Sequence, residues 1–194
     1  YMYIEDGPCK NYFAWSCATD GSKNAEGPAP DGEEYFAMAL FFAADRWGNG
    51  TGIFHYADEA RAILRECIHK GEPGHPGEPM WDTSRHLIKF ITNCNFSDPS
   101  YHLPHFYELF ARWADEDDRE FWRDAAEASR AYLHLACHPD TGLSAEYAEY
   151  DGTPHEGHQE IFGRHDWYYS DAYRTIANIA MDWLWFGRDP WQQE

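Results

Sequence analysis

The stretch Ala29-Pro30-Asp31-Gly32-Glu33-Glu34-Tyr35-Phe36-Ala37-Met38-Ala39-Leu40-Phe41-Phe42-Ala43-Ala44-Asp45-Arg46-Trp47-Gly48 decides the fold. Pro-Asp stands just before the turn. Glu33 and Glu34 fall in the first turn, where the positive end of a helix dipole favours acidic side chains. From Phe36 to Ala44 apolar residues cover every side, which predicts a helix over 33–47 buried among other elements. Asp31 then stands at the mouth of a buried helix, either as an N-cap or as a functional group. Gly48-Asn49-Gly50-Thr51-Gly52 ends the helix sharply.

Outward from this helix the pattern alternates. Over 57–70, Ala57, Ala60, Ile63, Leu64, Cys67 and Ile68 form one stripe, with charged residues on the other side, so this helix is one-sided. Asp98-Pro99-Ser100 opens a third helix that runs to about Ala114, with an awkward Pro104 in its first turns. A fourth, 118–137, turns Phe121, Trp122, Ala125, Ala128, Tyr132 and Leu135 inward. A fifth, 168–186, is apolar nearly all round. Tyr12 to Cys17 is a short extended piece, 80–91 a short β-hairpin, and 138–166 a long polar connection. Buried and one-sided helices in alternation are what concentric layers of antiparallel helices need. The expectation is an all-α arc of an (α/α) toroid. Inner helices of such an arc start on the same face, which brings Asp31, Tyr101 and Asp171 to one rim of an apolar bowl.

Composition narrows the function. The chain has 194 residues, with 15 Lys plus Arg against 34 Asp plus Glu and a net charge of −19. That balance argues against nucleic acid and anionic membranes as partners, and no apolar run is long enough to span a bilayer without charges. Aromatics make up 18 % of the chain. Surplus Trp and Tyr suit sugar rings, although a Trp-rich core would use them too. The cysteines Cys9, Cys17, Cys67, Cys94 and Cys137 are odd in number and form no C-x-x-C pair, which fits free thiols in a reducing cytoplasm. Tyr1 is not an initiator methionine, and no signal peptide is legible. His102-x-x-His105 and His155-x-x-His158 approach metal-ligand spacing, but Pro104 interrupts the first pair and no third ligand follows. With no Gly-x-Gly-x-x-Gly, P-loop or Gly-x-Ser-x-Gly, neither a metal nor a cofactor is expected.

Asp31-Gly32-Glu33, followed by Ala37 through Trp47, resembles the signature of glycoside hydrolase family 8, Ala-Ser/Thr-Asp-Gly/Ala-Asp before an alanine-rich helix. Pro30 and Glu33 depart from that pattern. Gly32-Glu33-Glu34-Tyr35-Phe36 brings the chain nearest to the branch of reducing-end xylose-releasing exo-oligoxylanases. The resemblance continues through Tyr12-Phe13-Ala14-Trp15-Ser16-Cys17, Asp98 to Pro104, and Asp171-Ala172-Tyr173-Arg174. It implies an (α/α)6 barrel, of which 1–194 is a partial catalytic domain truncated at both ends. It also implies inverting hydrolysis of β-1,4-xylo-oligosaccharides with release of xylose from the reducing end. An endo-acting glucanase, xylanase or chitosanase is the alternative, and a non-catalytic sugar-binding protein on the same scaffold is the second. The complete protein is expected to be monomeric.

The same resemblance assigns roles. Tyr169-Ser170-Asp171-Ala172-Tyr173-Arg174 matches the family's general-base motif, with Ser170 where an aromatic is usual, so Asp171 is the implied base. Tyr101 is implied to hold the attacking water, Asp31 to grip the sugar at the point of cleavage, and Trp15 to stack beside it. Arg174, one turn after Asp171, can keep it ionised, or form only an (i, i+3) ion pair. His165 is expected to line the site. The family's general acid lies in a Glu-Gly-Met-Ser-Tyr-Gly-like motif that is absent here, and Glu5 in Ile4-Glu5-Asp6-Gly7-Pro8 does not match it. The acid is therefore expected from a missing N-terminal segment. The chain alone is expected to have little activity and to expose apolar flanks that favour aggregation.

Overall fold

Pro30 takes the first position of helix α1 (Pro30–Trp47), where its missing N–H costs nothing, and Asp31 and Glu33 lie in the first turn. The computed structural model describes residues 1–159 and 163–194, with the side chains of His158 and Gln159 outside that description. Four further helices follow: α2 (Tyr56–His69), α3 (Pro104–Trp113), α4 (Arg119–Ala136) and α5 (Tyr173–Phe186). Strands β1 (Trp81–Asp82) and β2 (Leu87–Ile88) form an antiparallel hairpin, as do β3 (His158–Gln159) and β4 (Gly163–Arg164). The first hairpin falls inside the expected 80–91. The second lies in the stretch expected to be a polar connection.

Side-chain pairs fix the helix directions. Tyr35 meets Phe106 and Phe41 meets Phe110, so α1 and α3 run parallel. Asn178 reaches Ser100 while Trp185 touches Phe106, so α5 runs the same way. Tyr12 donates to Glu66 near the end of α2 while the next residue, Phe13, donates from its backbone to Glu33 at the start of α1, and His102, just before α3, meets Ser129 in the second half of α4. The pairs α1/α2 and α3/α4 are thus antiparallel hairpins. Helices α1, α3 and α5 form an inner layer whose starts share one side. The core between the layers centres on Trp81, Trp122, Tyr107 and Phe110 in edge-to-face contact.

The third helix differs from its expected course. Asp98 caps a 3-10 turn at Pro99–Tyr101 through the Ser100 N–H, and α3 begins only at Pro104. Pro104 is not awkward inside a helix; it occupies the first position of a separate one. The fifth helix is likewise preceded by a 3-10 turn, Ser170–Ala172, and begins at Tyr173 rather than 168.

Burial corrects the expectation that α1 and α5 are buried all round. Tyr35, Phe36 and Phe42 of α1 are exposed. On α5 the buried face is polar, Thr175, Asn178 and Asp182, while Ile176, Leu184 and Trp185 are exposed. The cause is neighbour geometry. The face of α5 packed on α3 and α4 holds hydrogen bonds and ion pairs, and of its apolar residues Trp185 meets Phe42, His105 and Phe106 and stays partly exposed. Leu135 of α4, expected to point inward, is 61 % exposed because it lies on the flank away from α3.

Candidate active site

Three inner helices start on one side, and the acidic residues at those starts come together. Asp31 is the second residue of α1, whose N-cap is Ala29, so Asp31 is not a cap. Asp171 lies in the 3-10 turn before α5, whose N-cap is Ala172, so it does not cap that helix either. Both carboxylates instead meet Arg174. Its Nη1 donates to Asp31 Oδ2 at 2.8 Å and its Nη2 to Asp171 Oδ2 at 2.8 Å. The guanidinium also lies over the Tyr101 ring, 5.5 Å from its centroid. The local (i, i+3) pair is present, but the same arginine also joins two inner helices.

A cleft of about 260 Å³ opens at this point, lined by Trp15, Asp31, Glu33, Phe36, Tyr101 and Asp171. Trp15 is 61 % exposed and also borders a larger groove of about 600 Å³ with Pro8, Cys9, Glu26 and Asn93. An exposed indole between two open clefts is a flat apolar surface with room on either side, as ring stacking requires.

Electrostatics divide the roles. Burial lifts the Asp31 carboxyl above its ordinary value, while the Arg174 hydrogen bond and charge pull it back. For Arg174, burial works against the charge, but its hydrogen bond to Asp31 and the charges of Asp31, Asp171 and Asp98 outweigh it, and its pKa rises. The arginine is therefore a permanent cation at this rim. Burial raises the Tyr101 phenol well above its usual range, so it keeps its proton and can orient a water but not deprotonate one. The side chain of Asp171 is half exposed, which leaves it open to a water in the cleft. Ser170, directly before it, has φ 45°, so the turn that presents Asp171 stores backbone strain. Asp98 is fully buried beneath Tyr101, and burial pushes it up to about 7 against the Ser100 hydrogen bonds.

Five of the six expected site residues thus meet at the rim: Trp15, Asp31, Tyr101, Asp171 and Arg174. His165 sits elsewhere. Its Nδ1 lies 2.9 Å from Glu146 Oε2 and its ring packs at a tilt against Tyr147, which meets Phe90 and, through it, Tyr101. Glu33 also lines the cleft, and Asp98 lies buried three residues before Tyr101; neither is among the expected site residues. Glu33 stands two residues after Asp31, where it reads as a partner of the helix dipole. Asp98 precedes a proline, where it reads as a cap, which it also is.

Of the expected histidine pairs, His102 is bonded to Ser97 and Ser129, and burial lowers it to about 3; His105 is lowered to about 4. The side chain of His158 is outside the described residues, and among those described no cluster of three His, Cys, Asp or Glu could hold a metal. No described helix is long and apolar enough to cross a membrane.

Residues 9–193 match the sequence profile of Glycosyl hydrolases family 8. The reducing-end xylose-releasing exo-oligoxylanase Rex8A of Paenibacillus barcinonensis is 60 % identical over 192 residues, which is 99 % of this chain and 50 % of Rex8A. The reducing end xylose-releasing exo-oligoxylanase of Halalkalibacterium halodurans is 58 % identical over 194 residues, 100 % of this chain and 48 % of its own length. The structure of Rex8A complexed with xylose superposes with a TM-score of 0.94 at 60 % identity, covering 99 % of this chain and 50 % of that one. The chain spans about half the length of the curated relatives it matches.

Proposed function

This chain belongs to glycosyl hydrolases family 8 and forms part of an (α/α)6 barrel, and from that premise we propose that the complete protein cleaves β-1,4-xylo-oligosaccharides with inversion, releasing xylose from the reducing end. The observation that carries this reading is the Arg174 bridge between Asp31 and Asp171, set in a cleft walled by Trp15 and Tyr101. The identity of 58–60 % to exo-oligoxylanases supports the substrate class.

In this mechanism a sugar stacks on Trp15 and hydrogen-bonds Asp31. The Tyr101 hydroxyl holds a water on the open face of the anomeric carbon, and Asp171 takes its proton as the water attacks. Inverting enzymes separate their two carboxyl groups by roughly 6.5–9.5 Å to admit that water. The acid that protonates the leaving oxygen lies, in our proposal, in a part of the protein outside this chain. We also take 1–194 to be a partial catalytic domain with little hydrolytic activity alone, and the complete protein to be a cytoplasmic monomer. All five cysteines are free thiols, which supports the compartment.

The test is Asp171→Asn in the complete protein. The amide keeps the shape and removes the proton acceptor, so turnover of xylo-oligosaccharides should fall by about 10²–10⁴-fold, while oligosaccharide binding should persist. Turnover within twofold of wild type would remove Asp171 from the mechanism.

A further inference from the structure

Glu33 is 1 % exposed, lies in the first turn of α1, and lines the same cleft as Trp15, Asp31, Tyr101 and Asp171. The mechanism above leaves it unused. Its Oε1 accepts the Phe13 backbone N–H at 2.8 Å, which ties the segment ending at Trp15 to the helix. Its Oε2 is buried and has no hydrogen-bond partner among the described residues. Native structures leave few buried carboxyl oxygens unpaired, and one at the wall of a binding cleft has a partner available in the ligand.

Resting on the sugar reading of this cleft, we propose that Glu33 is a positioning residue for sugar binding. Oε1 fixes the segment that carries Trp15, and Oε2 is held for a hydroxyl of the sugar lying on that indole. Burial pushes the carboxyl up to about 8, aided by the charge of Asp31 and opposed by the Phe13 N–H. At neutral pH it is therefore a neutral acid. The carbonyl oxygen accepts from Phe13 while the hydroxyl donates to the sugar. Asp31 and Glu34 of α1, Tyr12 of the N-terminal segment and Cys67 of α2 face it. The terminal nitrogens of Arg174 are engaged with Asp31 and Asp171. Loss of the proton removes the donor and places a second negative charge beside Asp31.

The test uses the complete protein, xylobiose as the binding probe and xylotriose as substrate. Glu33→Gln keeps an acceptor and a donor in the same shape but cannot ionise. Glu33→Leu removes both. Wild-type affinity for xylobiose should weaken about tenfold between about pH 7 and about pH 9.5, and the Gln variant should not follow. At neutral pH the Leu variant should raise KM about tenfold or more above that of the Gln variant, whose amide restores one acceptor and one donor. An alkaline loss that persists in Glu33→Gln, or wild-type affinity in a folded Glu33→Leu, overturns the proposal. A second readout separates it from the sugar reading. With fluorotryptophan incorporated, the fluorine resonance of Trp15, assigned with Trp15→Phe, should shift near pH 8 in the sugar-free wild type and stay put in Glu33→Gln. That shift without xylobiose binding overturns the sugar reading and keeps Glu33 as the residue that sets Trp15. Xylobiose binding without the shift overturns Glu33 and keeps the sugar reading.

Discussion

Arg174 is the residue on which the site depends, because one planar guanidinium serves two carboxylates from two helices. A lysine at this position is a point charge and reaches only one of them. Arg174→Lys is expected to lower kcat/KM on xylotriose by about 10²-fold through misplacement of Asp171 and Asp31. The ion pairs are partly exposed, so the melting transition should move little. Loss of stability with intact turnover would make the bridge a structural tie only. Much of this site was legible beforehand. Asp31, Tyr101 and Asp171 sit where short motifs meet helix starts, and parallel inner helices must bring those starts together. The link from Arg174 to Asp31 was not legible, because no local pattern spans a sequence separation of 143. The Glu146 partner of His165 was not legible either, because nothing local in the sequence links two residues 19 apart in a polar connection.

The elements are joined by a second polar seam, remote from the site. Arg130 of α4 donates from Nε and Nη2 to Asp182 of α5, and from Nη1 to Glu108 of α3. All three are buried. Removing the cation leaves Asp182 buried with, among the described residues, only the Gln192 amide on it, while Glu108 keeps Arg188 at 3.1 Å, so Arg130→Met should destabilise the fold by about 3 kcal/mol in denaturant titration. A change below about 1 kcal/mol would show the seam to be dispensable. This seam explains what helix patterning missed. Apolar residues all round α5 read as burial on every side, yet its inward face is chosen for hydrogen bonds and ion pairs. Hydrophobicity predicts that a face is covered, not by which neighbour. Pro104 illustrates the complementary point. One proline, read as an interruption, marked the boundary between a 3-10 turn and a new helix, and that turn is what presents Tyr101.

At the scale of the whole molecule, buried acids set the pH dependence. Glu33 and Asp98 are raised to about 8 and about 7, and Glu34 rises too, all by burial. Each has a folded pKa above its unfolded value. Its contribution is fully present below about pH 4 and is lost as pH rises through the folded pKa. His102 and His105 are lowered, so they act only below about pH 6.5, where the unfolded chain gains protons the fold refuses. Between about pH 6.5 and 8 the acids act without them, and the melting temperature should fall with rising pH. Glu33→Gln should flatten that slope, and an unchanged slope would contradict the assignment. The larger claim is that three parallel helix starts build a site in which a water, not a carboxylate, attacks the sugar. Xylotriose labelled at its reducing end, given to the complete protein and followed by proton NMR over the first turnovers, tests this most directly. The account predicts label in the released xylose and an α-configured new end on xylobiose. A β-configured new end would mean two displacements and a carboxylate nucleophile, and would contradict it.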